Sequence, residues 1–293
     1  MRLYRTCDGL ARGEGDDLVF LDPGGRDMAT ILGEGIETLR NAPERGRVPF
    51  DAATLLCPID TPGKVVLAGA NYRDHVAEAG MPMPSAPVFI TTAGGAVVGP
   101  GTQIVLPAEA PNQVDYEGEL ALVVGVAGHH IPAVHAWSHI AALTIVNDVS
   151  ARDVQLAGMV DGVITDIDGV RRGKVFPTFK PLGPGLVTVD EFDLPLDLAI
   201  RTFVNGQLRQ SARTSEMIFS IPQIIEHVSS SVYLDVGDVI LTGTPAGVGL
   251  ATGVYMQPGD LVEIEIDGIG RLSSPVLASA SVADSATQNE EKQ

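Results

Sequence analysis

The chain has 293 residues, of which 45% are hydrophobic and 19% charged, so it can bury a sizeable core and is too apolar for a mostly disordered protein. Its 37 acidic and 19 basic residues give a formal net charge of −18, which disfavours binding to nucleic acids and to anionic membranes. The two cysteines, Cys7 and Cys57, are too few for a disulfide scaffold and lack the paired spacing of a zinc site.

Three segments of unequal length are predicted. Residues 1–60 read as a small N-terminal domain, with short strands broken by Gly and Asp clusters and one helix over residues 27–40. The opening "MRLYRTCDGL" lacks the apolar region of a signal peptide, and no apolar run approaches the length of a membrane span. We therefore expect a cytoplasmic protein.

Residues 61–276 predict a β-rich α+β domain. Short strands alternate with Gly-Asp turns, and helical patterns occur near residues 133–141 and 214–229. Residues 277–293 show no periodicity and few large apolar groups, so they predict a disordered tail.

A histidine and a carboxylate lie three residues apart after the first strand of this domain. In "LAGANYRDHVAEAG", His75 and Glu78 share one helical turn, which is close enough for the carboxylate to hold the imidazole. Such a pair makes a general base near neutral pH. A solvated surface turn is the alternative interpretation.

The stretch "VDYEGELALVVG" places Asp115, Glu117 and Glu119 at alternate positions before an apolar run that fills both faces of a strand. Residues 260–268 provide a control, because their carboxylates alternate with apolar side chains throughout, as in a strand with one wet face. Three carboxylates at the mouth of a buried strand cannot all stay ionised without water or a cation. The pattern therefore leaves an open mouth and a bound metal as alternatives.

A second buried strand, in "AALTIVNDVSARDVQ", also ends in polar residues. It delivers Asp148, with Arg152 and Gln155 close behind. A helix cap with a surface ion pair is the alternative. Carboxylates without His or Cys select Mg²⁺, Mn²⁺ or Ca²⁺ over zinc.

Four other histidines are not expected to bind metal. His135 and His139 have helical spacing, but no Glu lies between them and no third soft ligand follows. His129 and His130 follow a glycine and predict a solvated loop.

Six motifs in order over about residues 60–276 resemble the fumarylacetoacetate hydrolase superfamily. They are "GANYRDHVAE", "DYEGELALVVG", "NDVSARDVQ", "FKPLGPGLVT", "VNGQLRQSARTSEMIFSIPQII" and "VGDVILTGTPAGVG". The resemblance is to bacterial acylpyruvase, fumarylpyruvate hydrolase and 2-hydroxyhepta-2,4-diene-1,7-dioate isomerase members. It implies mixed β-sheets rolled around a central site, a homodimer, and a Mg²⁺ or Mn²⁺ ion, with Ca²⁺ as a substitute in crystals.

The resemblance also implies a role for each matching residue. The metal ligands are Glu117, Glu119 and Asp148; the catalytic residues are His75, Glu78 and Lys174; the substrate-binding residues are Arg152, Gln155, Thr244 and Gly243. Asp115 is expected beside the metal. Two positions depart from the family pattern: Pro177 replaces an aspartate that is common in relatives, and Thr91 and Thr92 stand where a lysine is frequent. Residues 156–173 are acidic and rich in glycine, and they predict a mobile lid.

The implied reaction is cleavage of the C–C bond of a 2,4-dioxo acid of the acylpyruvate type, giving pyruvate and a carboxylic acid. His75, oriented by Glu78, would activate the water. Relatives also decarboxylate or isomerise oxo acids, or act as lyases and hydrolases on sugar-derived acids, and these remain alternatives. A non-catalytic, metal-stabilised binding protein is a remote one.

Overall fold

Two β-sheets dominate the protein. The computed structural model describes residues 1–160 and 163–279 of the chain. A 12-stranded sheet and a five-stranded sheet pack face to face, and apolar side chains from both of them form the largest core cluster. This architecture confirms the predicted β-rich α+β class.

The first part of the chain forms a meander and two short helices. Its elements are β1 (Arg2–Thr6), β2 (Gly9–Glu14), β3 (Asp17–Leu21), α1 (Met28–Glu34), α2 (Ile36–Arg40), β4 (Glu44–Pro49) and β5 (Leu55–Leu56). The single helix predicted over residues 27–40 is wrong, because Gly35 adopts a φ of 99° and separates two helices. Only glycine takes such an angle readily.

The middle of the chain holds most of the large sheet. Its elements are β6 (Lys64–Gly69), α3 (Arg73–Glu78), β7 (Val88–Ala93), β8 (Val97–Val98), β9 (Ile104–Leu106), β10 (Val114–Asp115), β11 (Gly118–Val124), β12 (Ile140–Asn147), β13 (Ser150–Ala151), α4 (Arg152–Gln155), β14 (Met159–Val160), β15 (Val163–Ile164), α5 (Ile167–Arg172) and β16 (Lys180–Thr188).

The last part of the chain supplies most of the small sheet. Its elements are β17 (Ala199–Val204), β18 (Gln207–Arg213), α6 (Ile221–Ser229), β19 (Val239–Leu241), α7 (Gly249–Thr252), β20 (Leu261–Ile266) and β21 (Gly270–Ala278).

Each sheet combines strands from distant parts of the chain. The large sheet runs β4-β3-β2-β1-β16-β12-β11-β19-β6-β7, with β5 beside β1 and β8 beside β16, and the small sheet runs β18-β17-β20-β21-β9. Strand β1 pairs with β16 through Leu3 and Leu186, so the N-terminal strands extend the same sheet as the rest of the chain. The division at residue 60 stays a prediction.

The two predicted helical regions are shorter than expected. Residues 133–139 form a 3-10 helix that begins after Pro132. In the region 214–229, a 3-10 turn comes first and α6 begins only after Ser220, whose backbone N–H donates to Gln223 Oε1 at 2.9 Å. This contact satisfies a donor at the helix start. No helix in the described part of the chain is long and apolar enough to cross a membrane.

Residues 280–293, most of the predicted tail, lie outside the described residues. Leu277 and Ala278 belong to strand β21, where they pair with Val105 and Leu106.

Candidate active site

Three carboxylates meet where β11 begins and β12 ends. These strands are antiparallel, and Gly118 lies opposite Asn147, so the residues around both are brought together. Two hydrogen bonds lock the segments: the Glu117 N–H donates to Asn147 Oδ1 at 3.0 Å, and the Asp148 N–H donates to the Glu117 carbonyl at 2.8 Å. The structure therefore holds Glu117 and Asp148 in fixed relation.

The predicted triad of Glu117, Glu119 and Asp148 is compact and buried. One oxygen from each residue lies within 4.8 Å of the others, and each residue is less than 5% exposed. It is the single such group of metal-capable side chains found among residues 1–160 and 163–279. The three residues are buried, and they line the cavity described below.

Two cations anticipated from the sequence hold parts of this triad. Arg152 Nη2 lies 2.6 Å from Glu117 Oε1 and 2.7 Å from Asp115 Oδ2. The Lys174 ammonium donates to Glu117 Oε2 and, at 2.7 Å, to Asp148 Oδ2. Asp115 also accepts the backbone N–H groups of Gly249 and Leu250 at 2.6 and 2.9 Å. Asp115 thus lies beside the triad and supports Arg152.

Lys180 is a third buried cation, which the sequence reasoning missed. Its Nζ lies 2.8 Å from Asp148 Oδ1 and donates to the Phe179 carbonyl at 3.2 Å. Burial lowers the pKa of Lys180, against the opposing effect of Asp148. A lysine that opens a strand as apolar as β16, six residues after Lys174, was the signal available in the sequence.

Glu119 differs from its two neighbours because no cation pairs with it in the described residues. Its Oε2 accepts the Gly243 N–H at 2.6 Å. Burial, reinforced by the nearby Asp148 and Glu117, raises the pKa of Glu119 well above its ordinary value. Burial also acts on Glu117, but Arg152 and Lys174 outweigh it and hold the pKa of Glu117 below its ordinary value.

The carboxylate oxygens of the triad are suitable ligands for a hard divalent cation. Four buried carboxylates, including Asp115, meet three buried cations, and Glu119 is the carboxylate without a paired cation among the described residues. Asp148 Oδ1, although close to Lys180, accepts no hydrogen bond within the described part of the chain. Buried oxygens of this kind need a partner. Oxygen-only ligands suit Mg²⁺ or Mn²⁺, with Glu117, Glu119 and Asp148 as the residues that would hold the ion.

His75 and Glu78 form a bonded pair on α3. His75 Nδ1 lies 2.9 Å from Glu78 Oε1, and both Glu78 oxygens accept the Gly247 N–H, at 2.9 and 3.1 Å. His75 is 7% exposed. The alternative of a solvated surface turn is therefore wrong for this histidine, and the loop around Gly247 fixes its partner.

The predicted substrate-binding residues lie beside the triad. Arg152 Nη1 donates to Gln155 Oε1 at 2.7 Å. The Thr244 hydroxyl donates to the Gly118 carbonyl at 3.1 Å and accepts from Gln210 at 2.7 Å. Because the Gly243 N–H already serves Glu119, the loop donors predicted for a substrate carboxylate are engaged within the protein, and their substrate-binding role stays a prediction.

One cavity of about 990 Å³ connects these groups. It is lined by His75, Glu78, Glu117, Glu119, Asp148, Arg152, Gln155, Lys174 and Thr244, together with residues of the segments 81–90, 156–160 and 163–164. The described residues of the predicted lid form the β14–β15 hairpin and α5, and residues 161–162 are not described. The His75–Glu78 pair and the carboxylate triad therefore face the same cavity.

The other histidines lie elsewhere. His129 and His130 are exposed, with ring centroids 3.9 Å apart, as the predicted solvated loop requires. His139 Nδ1 contacts the Val126 carbonyl at 2.8 Å, and neither His135 nor His139 belongs to a metal-capable group of described residues.

Comparison with known proteins agrees with the fold and the motifs. A family model described as fumarylacetoacetate (FAA) hydrolase C-terminal matches residues 64–277, so the chain belongs to the fumarylacetoacetate hydrolase superfamily. This confirms the resemblance seen in the sequence.

Individual relatives carry different activities in their names. The mitochondrial oxaloacetate tautomerase FAHD2B of Bos taurus is 41% identical over 78% of this chain and 71% of its own length. A solved fumarylacetoacetate hydrolase from Exiguobacterium antarcticum is 36% identical with a TM-score of 0.80, covering 95% of this chain and 100% of its own. A 2-hydroxyhepta-2,4-diene-1,7-dioate isomerase from Mycobacterium marinum is 37% identical with a TM-score of 0.75, covering 96% and 100%. The protein is thus similar to hydrolases, isomerases and tautomerases.

Proposed function

We propose that the protein is a divalent-metal-dependent hydrolase that cleaves the C–C bond of a 2,4-dioxo acid to pyruvate and a carboxylic acid. The observation that carries the proposal is the His75–Glu78 pair, which lines the same cavity as the carboxylate triad. Hydrolysis needs an activated water, and an oriented imidazole is the group that proteins use for this purpose.

The metal, when bound by Glu117, Glu119 and Asp148, would supply a Lewis acid that draws electrons from the 2-oxo group of the substrate. A divalent charge added to the site offsets the negative charge of its carboxylates. This makes the site more favourable for an anionic substrate despite the chain's net charge of −18. The proposal extends to Mg²⁺ or Mn²⁺ as the natural ion.

His75 would move the proton. Glu78 accepts the hydrogen bond from Nδ1–H, so Nε2 is left to take a proton from water. The hydroxide oxygen then bonds to C4, and the C3–C4 bond breaks with its electron pair delocalised from C3 into the C2 carbonyl. Return of the proton from Nε2 to C3 completes pyruvate, and the acyl group leaves as a carboxylic acid.

The buried cations would orient the substrate. Arg152 and Lys174 each hold Glu117, and Arg152 also contacts Gln155, so their positions are fixed before substrate arrives. Preorganised donors of this kind stabilise charge that develops on the substrate oxygens. We assign the substrate carboxylate to Arg152 and Gln155, and the reacting oxygens to Lys174.

Keto–enol conversion of oxaloacetate is a second candidate. It is favoured by the similarity to an oxaloacetate tautomerase over most of the chain. His75 would then carry a proton between C3 and the enol oxygen, without water as a reactant. The two candidates differ in whether a C–C bond breaks.

The test incubates the metal-loaded protein with acylpyruvates and, separately, with enol oxaloacetate. With acylpyruvates, we expect the diketone absorbance to fall and one pyruvate to form for each substrate molecule consumed. His75→Ala should abolish turnover while Mn²⁺ binding, measured by calorimetry, is kept; His129→Ala, at an exposed histidine, is the control. Rapid loss of enol oxaloacetate with all acylpyruvates intact would replace hydrolysis by tautomerisation.

The homodimer and the cytoplasmic location stay predictions. Light scattering of the purified protein, at a chain mass of 30.7 kDa, tests the first directly.

A further inference from the structure

The charged groups of the active-site cavity are the triad with its cations and the His75–Glu78 pair. The lining includes seven ionisable side chains, and hydrogen bonds or ion pairs join most of them into the cluster around the triad: His75, Glu78, Glu117, Glu119, Asp148, Arg152 and Lys174. The two permanent cations, Arg152 and Lys174, are both bonded to Glu117. A carboxylate bound by either of them therefore sits beside the triad.

The rest of the cavity is apolar. Its walls come from the segment after α3 and from the β14–β15 hairpin, with Met81, Met83, Phe89, Leu156, Met159 and Ile164 as the large side chains. Ser85 is the polar side chain contributed by these segments. Among the described lining residues, none beyond Arg152 and Lys174 carries a permanent positive charge.

The size of the cavity exceeds what a short oxo acid fills. Its volume of about 990 Å³ is at the top of the range of roughly 300–1,000 Å³ that small-molecule sites occupy. Each CH₂ group buried against the apolar walls strengthens binding about fourfold. A terminal carboxylate placed there gains no cation and gives up the contact that a terminal methyl group makes with the apolar walls, a difference of about fourfold in affinity.

We propose that the substrate is a monocarboxylate: an acylpyruvate whose acyl group is an apolar alkyl or aryl chain rather than one that ends in a second carboxylate. This rests on the proposed hydrolase function. The pyruvyl end lies on the triad with Arg152, and the acyl end lies against Met83, Phe89 and Met159.

The first test compares hexanoylpyruvate with adipoylpyruvate, whose acyl chains have the same length and end in CH₃ and COOH, respectively. The expected kcat/KM is at least about fourfold higher for hexanoylpyruvate. Equal or better turnover of adipoylpyruvate would overturn the inference while leaving the hydrolase function standing.

A cation placed in the apolar part should change this preference. Met83 lines the cavity and is 52% exposed, so Met83→Lys is expected to fold. The variant should lower the ratio of the two kcat/KM values, mainly by improving adipoylpyruvate. Val134→Lys, at a residue 86% exposed and outside the cavity lining, should leave the ratio unchanged. An unchanged ratio in Met83→Lys would count against the inference.

A binding measurement tests the apolar part of the site independently of the hydrolase function. Calorimetry of the Mg²⁺-loaded protein with 2-oxooctanoate and 2-oxooctanedioate measures the same preference without turnover. If 2-oxooctanoate binds more tightly but no acylpyruvate is cleaved, the apolar site stands and the hydrolase function falls. If the dianion binds as well as the monoanion, or if neither binds, the apolar site falls.

Discussion

Two strands of this protein carry acidic residues at alternate positions, and their carboxylates meet opposite surroundings. In the segment that enters β11, Glu117 and Glu119 are buried, and every residue of β11 is buried as well. In β20, Glu263 and Glu265 alternate with buried Val262 and Ile264 and remain partly exposed. Only the first strand places its carboxylates where they are almost completely buried.

The difference lies in what covers each strand and what pairs with its acids. Strand β20 has one wet face, and Arg271 on the neighbouring strand reaches both glutamates, with 2.9 Å between Nη1 and Glu263 Oε1. Exposed pairs of this kind contribute little to stability. Strand β11 lies between β12 and β19 in the sheet, and its acids need buried cations. Alternation alone therefore does not indicate a site, whereas alternation beside an apolar run on both faces does.

Removing both glutamates from each strand should give the largest contrast. Glu117→Gln/Glu119→Gln is expected to lose Mn²⁺ binding and turnover to below detection, because two of three anionic ligands are gone. Glu263→Gln/Glu265→Gln should retain both. Calorimetry with Mn²⁺ and a pyruvate assay measure the outcome, and metal uptake by the first variant would contradict the assignment.

Removing one cation near β11 should destabilise the protein more than removing one cation near β20. Lys180→Met leaves Asp148 buried with one fewer partner and is expected to lower the free energy of unfolding of the metal-free protein by about 3–5 kcal/mol. Arg271→Met breaks exposed pairs and should cost less than about 1 kcal/mol. Urea unfolding followed by circular dichroism measures both. Equal losses would show that the Lys180 contacts contribute no more than a surface pair.

The segment before β11 offers a smaller effect at Asp115. Asp115→Asn removes charge from the residue that holds Arg152, so we expect kcat/KM to fall roughly tenfold through misplacement of that guanidinium. Mn²⁺ affinity should change little, since Asp115 is no member of the triad. Asp267→Asn, just after β20 and paired with exposed Arg201, is the matched control. A similar fall in both variants would remove the positioning role.

Proton release on metal binding is the smallest expected effect. Because the pKa of Glu119 is raised, this group holds a proton below that pKa in the metal-free protein, and the ion must displace it. Mn²⁺ affinity should therefore rise with pH. For the same reason the metal-free protein loses stability as pH rises through the raised pKa of Glu119.

Calorimetry at a series of pH values in two buffers of different ionisation enthalpy counts the protons released. The native protein is expected to release more protons than Glu119→Gln, which has no carboxyl proton to lose at this position. Identical counts in the two proteins would assign the proton to another group.

Much of the site could be predicted because its signals are local. Alternating carboxylates, the apolar run after Glu119 and the turn spacing of His75 and Glu78 are each visible within a dozen residues. Lys180 was missed because a single lysine in a strand otherwise apolar has no local partner; Asp148 lies 32 positions earlier in the chain, and only the β12–β16 pairing brings them together.

The errors in the fold have the same origin. A helical pattern over residues 27–40 cannot show that Gly35 takes a positive φ. Likewise, the pairing of β1 with β16 joins Leu3 to Leu186, far apart in the chain, and no short stretch of sequence records it. The contacts of Gly243 with Glu119 and of Thr244 with Gly118 were not predicted, because they depend on strand packing.

The central claim is that the triad grips a hard divalent ion, and anomalous diffraction from crystals grown with Mn²⁺ tests it most directly. The account predicts one manganese peak in contact with a carboxylate oxygen from each of Glu117, Glu119 and Asp148. No peak at the triad in crystals saturated with Mn²⁺, or a peak bound by other side chains, would contradict it.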